Sequence, residues 1–491
     1  TNKIVEKRND VLDLLAPFMA TLLKCVTQFK DELLLSALQC ALASPNELVR
    51  RMGVSAFVPA LKQSFRLGLR HNPIASFGLR TLERWSESQK NVDSVLPILL
   101  PSLEPFLSLN AAAAAESEES LEAEPQNFTK KRKTQKKPNE KKSSKTEDLH
   151  DLQVHVLRLL GRLGGRNRFV TGSLEEGSQH DALKLGLRWA SPETITMRSV
   201  PMSKMGTMNL VLGDLLPRVL RLATDSGHRQ TKVAACELLH SMTIYIVGSD
   251  NRDASMISDQ KGKLFEHLFP GLVRLATDVE PVTKKLFAPL VLQLVRWYSR
   301  PLTITIQGTT PTLLLLNAIT DGVGNSSDGA IRDYCAKALA EFFKWSLKQS
   351  TQKQIRISHA VTVGSLLRRI YSLLRDPSPF KRYGAAATIG HLYVYTTNHR
   401  YNLKTHNNNN NNNNRYKDMR EDLDIVDMYA MEMIHNLILS LRVEGRTSMM
   451  RFKSVTTMTT KALRHMLKMF SNKKYAQKLS KVNESRTMYT E

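Results

Sequence analysis

The chain has 491 residues, 42% hydrophobic and 7% aromatic, enough apolar mass for two or three compact domains or one long stack of repeats, with a helix-favouring abundance of Leu, Ala, Lys and Arg. Its formal net charge of +24 points to a polyanionic partner or a nuclear setting. Four widely spaced cysteines (Cys25, Cys40, Cys236, Cys335) exclude a disulfide framework and suit a reducing compartment with thiols as small core residues, and no apolar run approaches the ~20 residues of a membrane span.

Residues 1–110 read as helical repeats. The chain opens on Thr1 within sequence that is already helical, so it is expected to be a fragment of something longer. Ser44 and Pro45 turn the chain ahead of Val49, Arg50, Arg51, Met52 and Gly53, a pattern that recurs further on. Residues 111–150 break the repeats with five alanines, an acidic run from Glu116 to Glu124 and then a basic run. The basic run holds Lys130, Lys131, Arg132, Lys133, Lys136, Lys137, Lys141, Lys142 and Lys145 against Glu140. Such a segment cannot supply a core and is predicted to be disordered. It reads as a nuclear-import segment, a nonspecific phosphate-binding tail or a solvated linker, and all three stay open. No aromatic residue interleaves with its lysines, which disfavours stacking on single strands.

Helical repeats resume over residues 151–400. Arg158, Arg162 and Arg166 share one face at a helix end, where cations are stabilising in themselves. Gly161, Gly164 and Gly165 lack the spacing of a phosphate-binding loop. Two segments then echo each other. Leu215 to Asp225 ends in Arg-Leu-Ala-Thr-Asp, and so does Leu268 to Asp278, 53 residues later. A fixed-offset echo of an amphipathic helix marks a repeat protein, in which each unit buries its apolar face against its neighbours. Taking Asp225, Asp278, Asp328 and Asp376 as reference points gives steps of 53, 50 and 48 residues, slightly longer than HEAT or armadillo units.

In each unit an Asp or Pro ends a first helix and turns the chain. A β-branched or aromatic residue (Val233, Val282, Ile331, Phe380) is expected to anchor the second helix in the core. The Arg or Lys beside it is expected on an inner surface, and small residues let the helices approach closely. The fold class is therefore all-α, an α-solenoid of HEAT-like helical hairpins.

Residues 401–420 contain eight consecutive asparagines, Asn407 to Asn414, read as a low-complexity loop. Residues 421–491 are further helices with many cations from Arg442 to Lys481, read either as the lining of a concave face or as an ordinary solvated surface. The histidines, His228, His240 and His391 among them, show no paired metal spacing, and His240 beside Leu238 and Leu239 reads as a packed helix residue.

The segment from Asp225 to Met242, including His228, Arg229, Gln230, Thr231, Lys232, Val233 and Cys236, resembles the DNA-dependent protein kinases of the phosphatidylinositol-3-kinase-related kinase family. Further blocks agree in order and rough spacing: Phe57 to Leu61, Leu82 to Trp85, Leu290 to Trp297, Phe342 to Gln349 and Leu373 to Gly384. The resemblance implies a piece of that family's large N-terminal HEAT-repeat cradle, acting in the nucleus in non-homologous end joining. It implies double-stranded DNA ends, the Ku heterodimer and the rest of the same long chain as partners, with no membrane and no small-molecule substrate.

The chain carries no glycine-rich phosphate loop and no His-Arg-Asp or Asp-Phe-Gly triplet, so the fragment is not expected to be an enzyme. It needs no cofactor; ATP and magnesium are implied only for a kinase domain elsewhere. The family modifies Ser or Thr before Gln, which makes Thr134 in the basic run a candidate phosphorylation site. The rival reading is a protein-interaction or nuclear-transport solenoid unrelated to repair.

Overall fold

The computed structural model describes residues 2–29, 31–69, 71–88, 92–109, 149–160, 212–250, 259–299, 311–349, 362–406, 429–443 and 453–470. The basic run from Lys130 to Lys145, Thr134, Arg162, Arg166 and the asparagine tract lie outside them. Among the described residues every regular element is helical. They fall into two compact units, residues 1–256 and 257–491.

The first unit holds α1 (Asn2–Cys25), α2 (Asp31–Leu42), α3 (Asn46–Met52), α4 (Val58–Gly68), α5 (Asn72–Ser88), α6 (Val92–Leu103), α7 (149–160), α8 (Leu212–Asp225) and α9 (Arg229–Asp250). Helix α4 starts with proline in its first turn, where no N–H is missed, and packs on α5. A side chain on Gly68 would collide with Ala75, so glycine sets how closely these two helices pass. Phe57 meets Trp85 edge-on at 5.2 Å in the same core.

Polar side chains close the ends that packing leaves open. Arg84 donates to the Leu42 and Ser44 carbonyls at 3.1 Å each, which satisfies backbone oxygens left over where α2 stops. Gln153 of α7 donates to the Ser108 carbonyl at 3.0 Å, and Arg218 of α8 donates to the Glu104 carbonyl at 3.3 Å. Both helices are thereby tied to the turn that follows α6.

The second unit is four hairpins: α10 (Asp259–Ala276) with α11 (Pro281–Tyr298), α12 (Pro311–Val323) with α13 (Gly329–Gln349), α14 (Val363–Leu374) with α15 (Pro379–His406), and α16 (429–443) with α17 (Lys453–Phe470). The second helices form a continuous layer, α11 on α13, α13 on α15 and α15 on α17. The first helices form the other layer. There α10 packs on α12, Arg369 of α14 bonds Asn317 of α12 at 3.0 Å, and Arg375 bonds Asn436 of α16 at 2.9 Å. Two parallel layers of hairpins are the α-solenoid arrangement. The core between them is fully enclosed at Phe265, Phe269, Phe287, Phe342 and Phe343, each contributing about 1.5–3 kcal/mol of apolar burial.

Two expectations need correcting. The thiols are not uniformly core residues: Cys236 and Cys335 are buried, but Cys25 is half-buried and Cys40 is exposed. A hydrophobic neighbour on only one side of α2 leaves Cys40 facing out. The anchors Val233, Val282, Ile331 and Phe380 are half-buried rather than enclosed, and they do not share a register. Counted from the first residue of the second helix they fall at positions five, two, three and two. The fully enclosed side chains near these helix starts are Thr231 and Thr283, with Phe287 and Cys335 a turn later.

Close approach decides stability at α15. A methyl group on Gly384 would overlap the Val323 carbonyl and side chain at the end of α12, whereas Gly390 on the same helix has nothing near it. Gly384→Ala is expected to destabilise by about 1–3 kcal/mol through overpacking, and Gly390→Ala to stabilise by roughly 0.5–1 kcal/mol through helix propensity. Opposite shifts of the urea midpoint in the two variants check this.

His240 supplies a pH dependence. It is buried in α9, and that burial pulls its imidazole from 6.5 down to about 4, so it stays neutral in the fold. Its contribution is complete above the unfolded value of about 6.5 and is lost as pH falls towards the folded value, on the order of 3 kcal/mol in all. Replacing His240 with Leu is expected to flatten the fall in stability between pH 7 and pH 5 seen in urea titrations. An unchanged slope would count against the assignment.

Candidate functional site

Chemistry-bearing side chains are spread out rather than gathered. Among the described residues no group of three or more His, Cys, Asp or Glu could hold a metal ion. The titratable groups of the core are pushed towards inertness: burial raises the Cys335 thiol to about 12 and raises the Tyr334 phenol too, with Cys335 adding to the latter. What the sequence assembles is a set of turns and one cationic surface.

The turns are built from local hydrogen bonds. Asp278 accepts from the Glu280 N–H at 2.9 Å, Asp328 from the Ala330 N–H at 2.7 Å, and Asp376 from the Ser378 N–H at 2.9 Å. This is how a short carboxylate holds a turn and offers a helix its first acceptor. Asp225 differs. It closes α8 as an exposed residue, and Ser226 takes over by accepting from the His228 N–H at 3.3 Å.

A cation stands at the fourth position of the second helices α9, α11, α13 and α15: Lys232, Lys284, Arg332 and Arg382. The expectation of an inner surface fails at Arg382, which is 2% exposed. Its Nη1 donates to the Asp376 and Pro377 carbonyls at 2.7 and 2.6 Å, so the charge is drawn into the turn it closes. Arg332 Nη1 likewise donates to the Asn325 carbonyl at 2.7 Å. Its guanidinium also lies 5.0 Å from the Phe380 ring and 5.7 Å from the Tyr383 ring of the next hairpin. Phe380 is half-buried because an arginine, rather than an aliphatic side chain, lies over it.

Burial alone would raise the Asp376 carboxyl. The Ser378 N–H, the Lys381 ammonium 2.9 Å away and the Arg382 charge outweigh that and hold it below the ordinary carboxylate value.

The cationic surface lies on α13, α15 and α17. Lys337, Lys453, Lys461, Arg464 and Lys468 are exposed. His391 on α15 is lowered first by burial, then by the charge of Lys337 against the pull of Asp333, and by that of Lys461. His465 stacks on Tyr393 at 4.5 Å and is lowered by burial and by Lys461, Lys468 and Arg464. Such a field attracts anions in a salt-dependent way. Sequence reasoning had the α17 cations but not Lys337 and His391, because their convergence depends on how three helices stack. Arg158 is exposed on α7, and Arg442 is exposed on α16.

Family comparison fixes the setting. Residues 2–163 match the model described as DNA-PKcs, N-terminal, and residues 259–489 match DNA-dependent protein kinase catalytic subunit, CC1/2. The DNA-dependent protein kinase catalytic subunit of Dictyostelium discoideum is 31% identical over 467 residues, 90% of this chain and 10% of that protein. The Mus musculus protein of the same name is 35% identical over 384 residues, 74% of this chain and 9% of that protein. The chain thus spans about a tenth of the length of the relatives it matches. A solved importin beta structure is similar at 10% identity and a TM-score of 0.19, covering 95% of this chain and 66% of that one, and neither fold nor function follows from so low a score. Two successive regions of one family, matched in chain order and joined by relatives that run through both, place this chain in the DNA-dependent protein kinase catalytic subunit family, as a segment of its N-terminal part.

Proposed function

We propose that this segment is a non-catalytic scaffold of a DNA-dependent protein kinase catalytic subunit, shaping the cradle that docks DNA ends and the Ku heterodimer in the nucleus during non-homologous end joining. The observation that carries the reading is the ordered match of N-terminal and CC1/2 regions across a chain built of stacked hairpins. Its mechanism is geometric. Buried turn clamps and close helix packing fix each hairpin on the next, and the stack holds its exposed cations at set spacings where duplex phosphates can meet them.

ATP and magnesium belong, on this reading, to a kinase domain elsewhere in the family protein. The basic run from Lys130 to Lys145 adds a second, nonspecific site for phosphate or for import, with Thr134 as a position where phosphorylation offsets part of its charge.

The test uses the full-length protein with blunt duplex DNA and Ku. Photo-crosslinkers at Lys337 and Lys461 are expected to capture DNA or Ku. Lys337→Glu with Lys461→Glu, and separately deletion of residues 130–145, are expected to lower the slope of log affinity against log salt by about one for each phosphate that is no longer neutralised. Normal end joining and unchanged salt slopes in both variants, with recovery of importins in place of Ku, would overturn the reading in favour of a transport solenoid.

A further inference from the structure

Ser378 stands in the turn between α14 and α15, and the fold gives its hydroxyl no task. Its backbone N–H donates to Asp376 and its carbonyl accepts from the Arg382 N–H at 3.2 Å, but among the described residues its side-chain oxygen makes no hydrogen bond. A serine at the start of a helix ordinarily accepts from a first-turn N–H. Thr362 does this for α14, taking the Ser365 N–H at 3.4 Å. At α15 the turn is held instead by Asp376 and Arg382. From Ser378 to Lys381 the chain reads Ser-Pro-Phe-Lys. Four Ser-Pro or Thr-Pro pairs occur in the sequence, at Ser44, Ser191, Thr310 and Ser378, and only Ser378 has a cation three residues on.

We propose that Ser378 is a phosphorylation site for a proline-directed serine/threonine kinase that also reads Lys381. A proline after the acceptor lacks an N–H and holds the preceding residue extended, the form in which a kinase cleft takes its substrate. Ser378 is half-buried, and Arg375 and Pro377 ahead of it are exposed. The first turn of α15 must fray to present Lys381, and helix ends open at low cost. In the reaction Ser378 Oγ attacks the γ-phosphorus of ATP held by that kinase. The Oγ–P bond forms as the bond to the ADP oxygen breaks, and the hydroxyl proton passes to the kinase's catalytic carboxylate. The phosphate then precedes a helix of 28 residues whose first turn holds Lys381 and Arg382 and no acid. Helix dipole and side chains both favour it there. Lys381 reaches Asp376 at 2.9 Å, and its stem lies against Gly324 in the turn between α12 and α13. A phosphate on Ser378 competes with Asp376 for that ammonium and so acts on the joint between two hairpins. The site stands independently of the DNA-docking reading.

Phosphate mapping by mass spectrometry on the full-length protein tests this. Protein isolated from growing cells that make it is expected to carry phosphate on Ser378, and to lose it when the cells are treated with an inhibitor of cyclin-dependent kinases. After phosphatase treatment, a purified cyclin-dependent kinase with ATP is expected to restore it. Pro379→Ala and Lys381→Ala are each expected to lower that rate about tenfold, Ser378→Ala to abolish it, and Ser378→Thr to retain it. Circular dichroism and thermal midpoints establish that each variant folds, and Lys381→Gln serves should Lys381→Ala not. A synthetic peptide of residues 372–385 separates the motif from the fold. Modification of the peptide but not of the folded protein, equal rates for Lys381→Ala and the parent, or an unmodified Ser378 in the isolated protein would each overturn the proposal. Phosphate is also expected to alter hydrogen exchange at residues 324–328 as well as at 376–382. A change confined to 376–382 would overturn the link to the neighbouring hairpin.

Discussion

A helical hairpin exposes more apolar surface than it can cover by itself, so each one here is stable only as far as the next hairpin fits against it. At the junction between α12, α13 and α15 that fit is tight enough to forbid a side chain. Gly322 faces Cys335 and Gly384 faces the end of α12, each with no room for a methyl group. The same junction stacks Arg332 on Phe380 and Tyr383 and draws Arg382 into the turn before α15. Exposed cations on α13 and α17 keep their spacing because this packing leaves the second-helix layer little freedom to shift.

Burying a guanidinium costs several kcal/mol unless hydrogen bonds replace the lost water. Arg382 meets that condition with two backbone carbonyls, which an ammonium at the same place would meet with less directional reach. The earlier hairpins solve the turn differently. Ser226 and His228 hold the link between α8 and α9, and Asp278 followed by proline in the first turn holds the link between α10 and α11. Lysine suffices there, since Lys232 is half-buried and Lys284 exposed.

This difference explains what could be read from the amino acids and what could not. Helical hairpins of about fifty residues were legible, because the Arg-Leu-Ala-Thr-Asp echo reports one amphipathic helix used twice. The register of the second helices was not. Asp278, Asp328 and Asp376 each accept from a backbone N–H two residues on, but Asp225 sits at the end of α8, where Ser226 holds the turn, while Asp328 lies in the loop after Val323. Counting from aspartate therefore misaligned Val233 with Val282, Ile331 and Phe380. The buried state of Arg382 was illegible for a related reason: an arginine beside a turn looks solvated until the carbonyls that receive it are in place. That Lys337 and Lys461 both act on His391 follows only from the packing of three helices.

Both layers of the second unit bury apolar side chains, and the first-helix layer adds polar bridges between hairpins. Second helices meet side by side along α11, α13, α15 and α17, with Phe287, Phe342, Phe343 and Ile389 fully enclosed. Separating them means exposing apolar area at about 25 cal/mol per Å². Across the first helices, α12 and α14 are bridged by Arg369 on Asn317, and α14 and α16 by Arg375 on Asn436. A polar bridge of this kind contributes only about 0.5–1.5 kcal/mol net, because water replaces it when it opens. Opening the first-helix layer therefore means breaking these bridges and also exposing the enclosed apolar side chains of α12 and α14, Leu315, Leu316, Ile319, Leu366 and Ile370 among them.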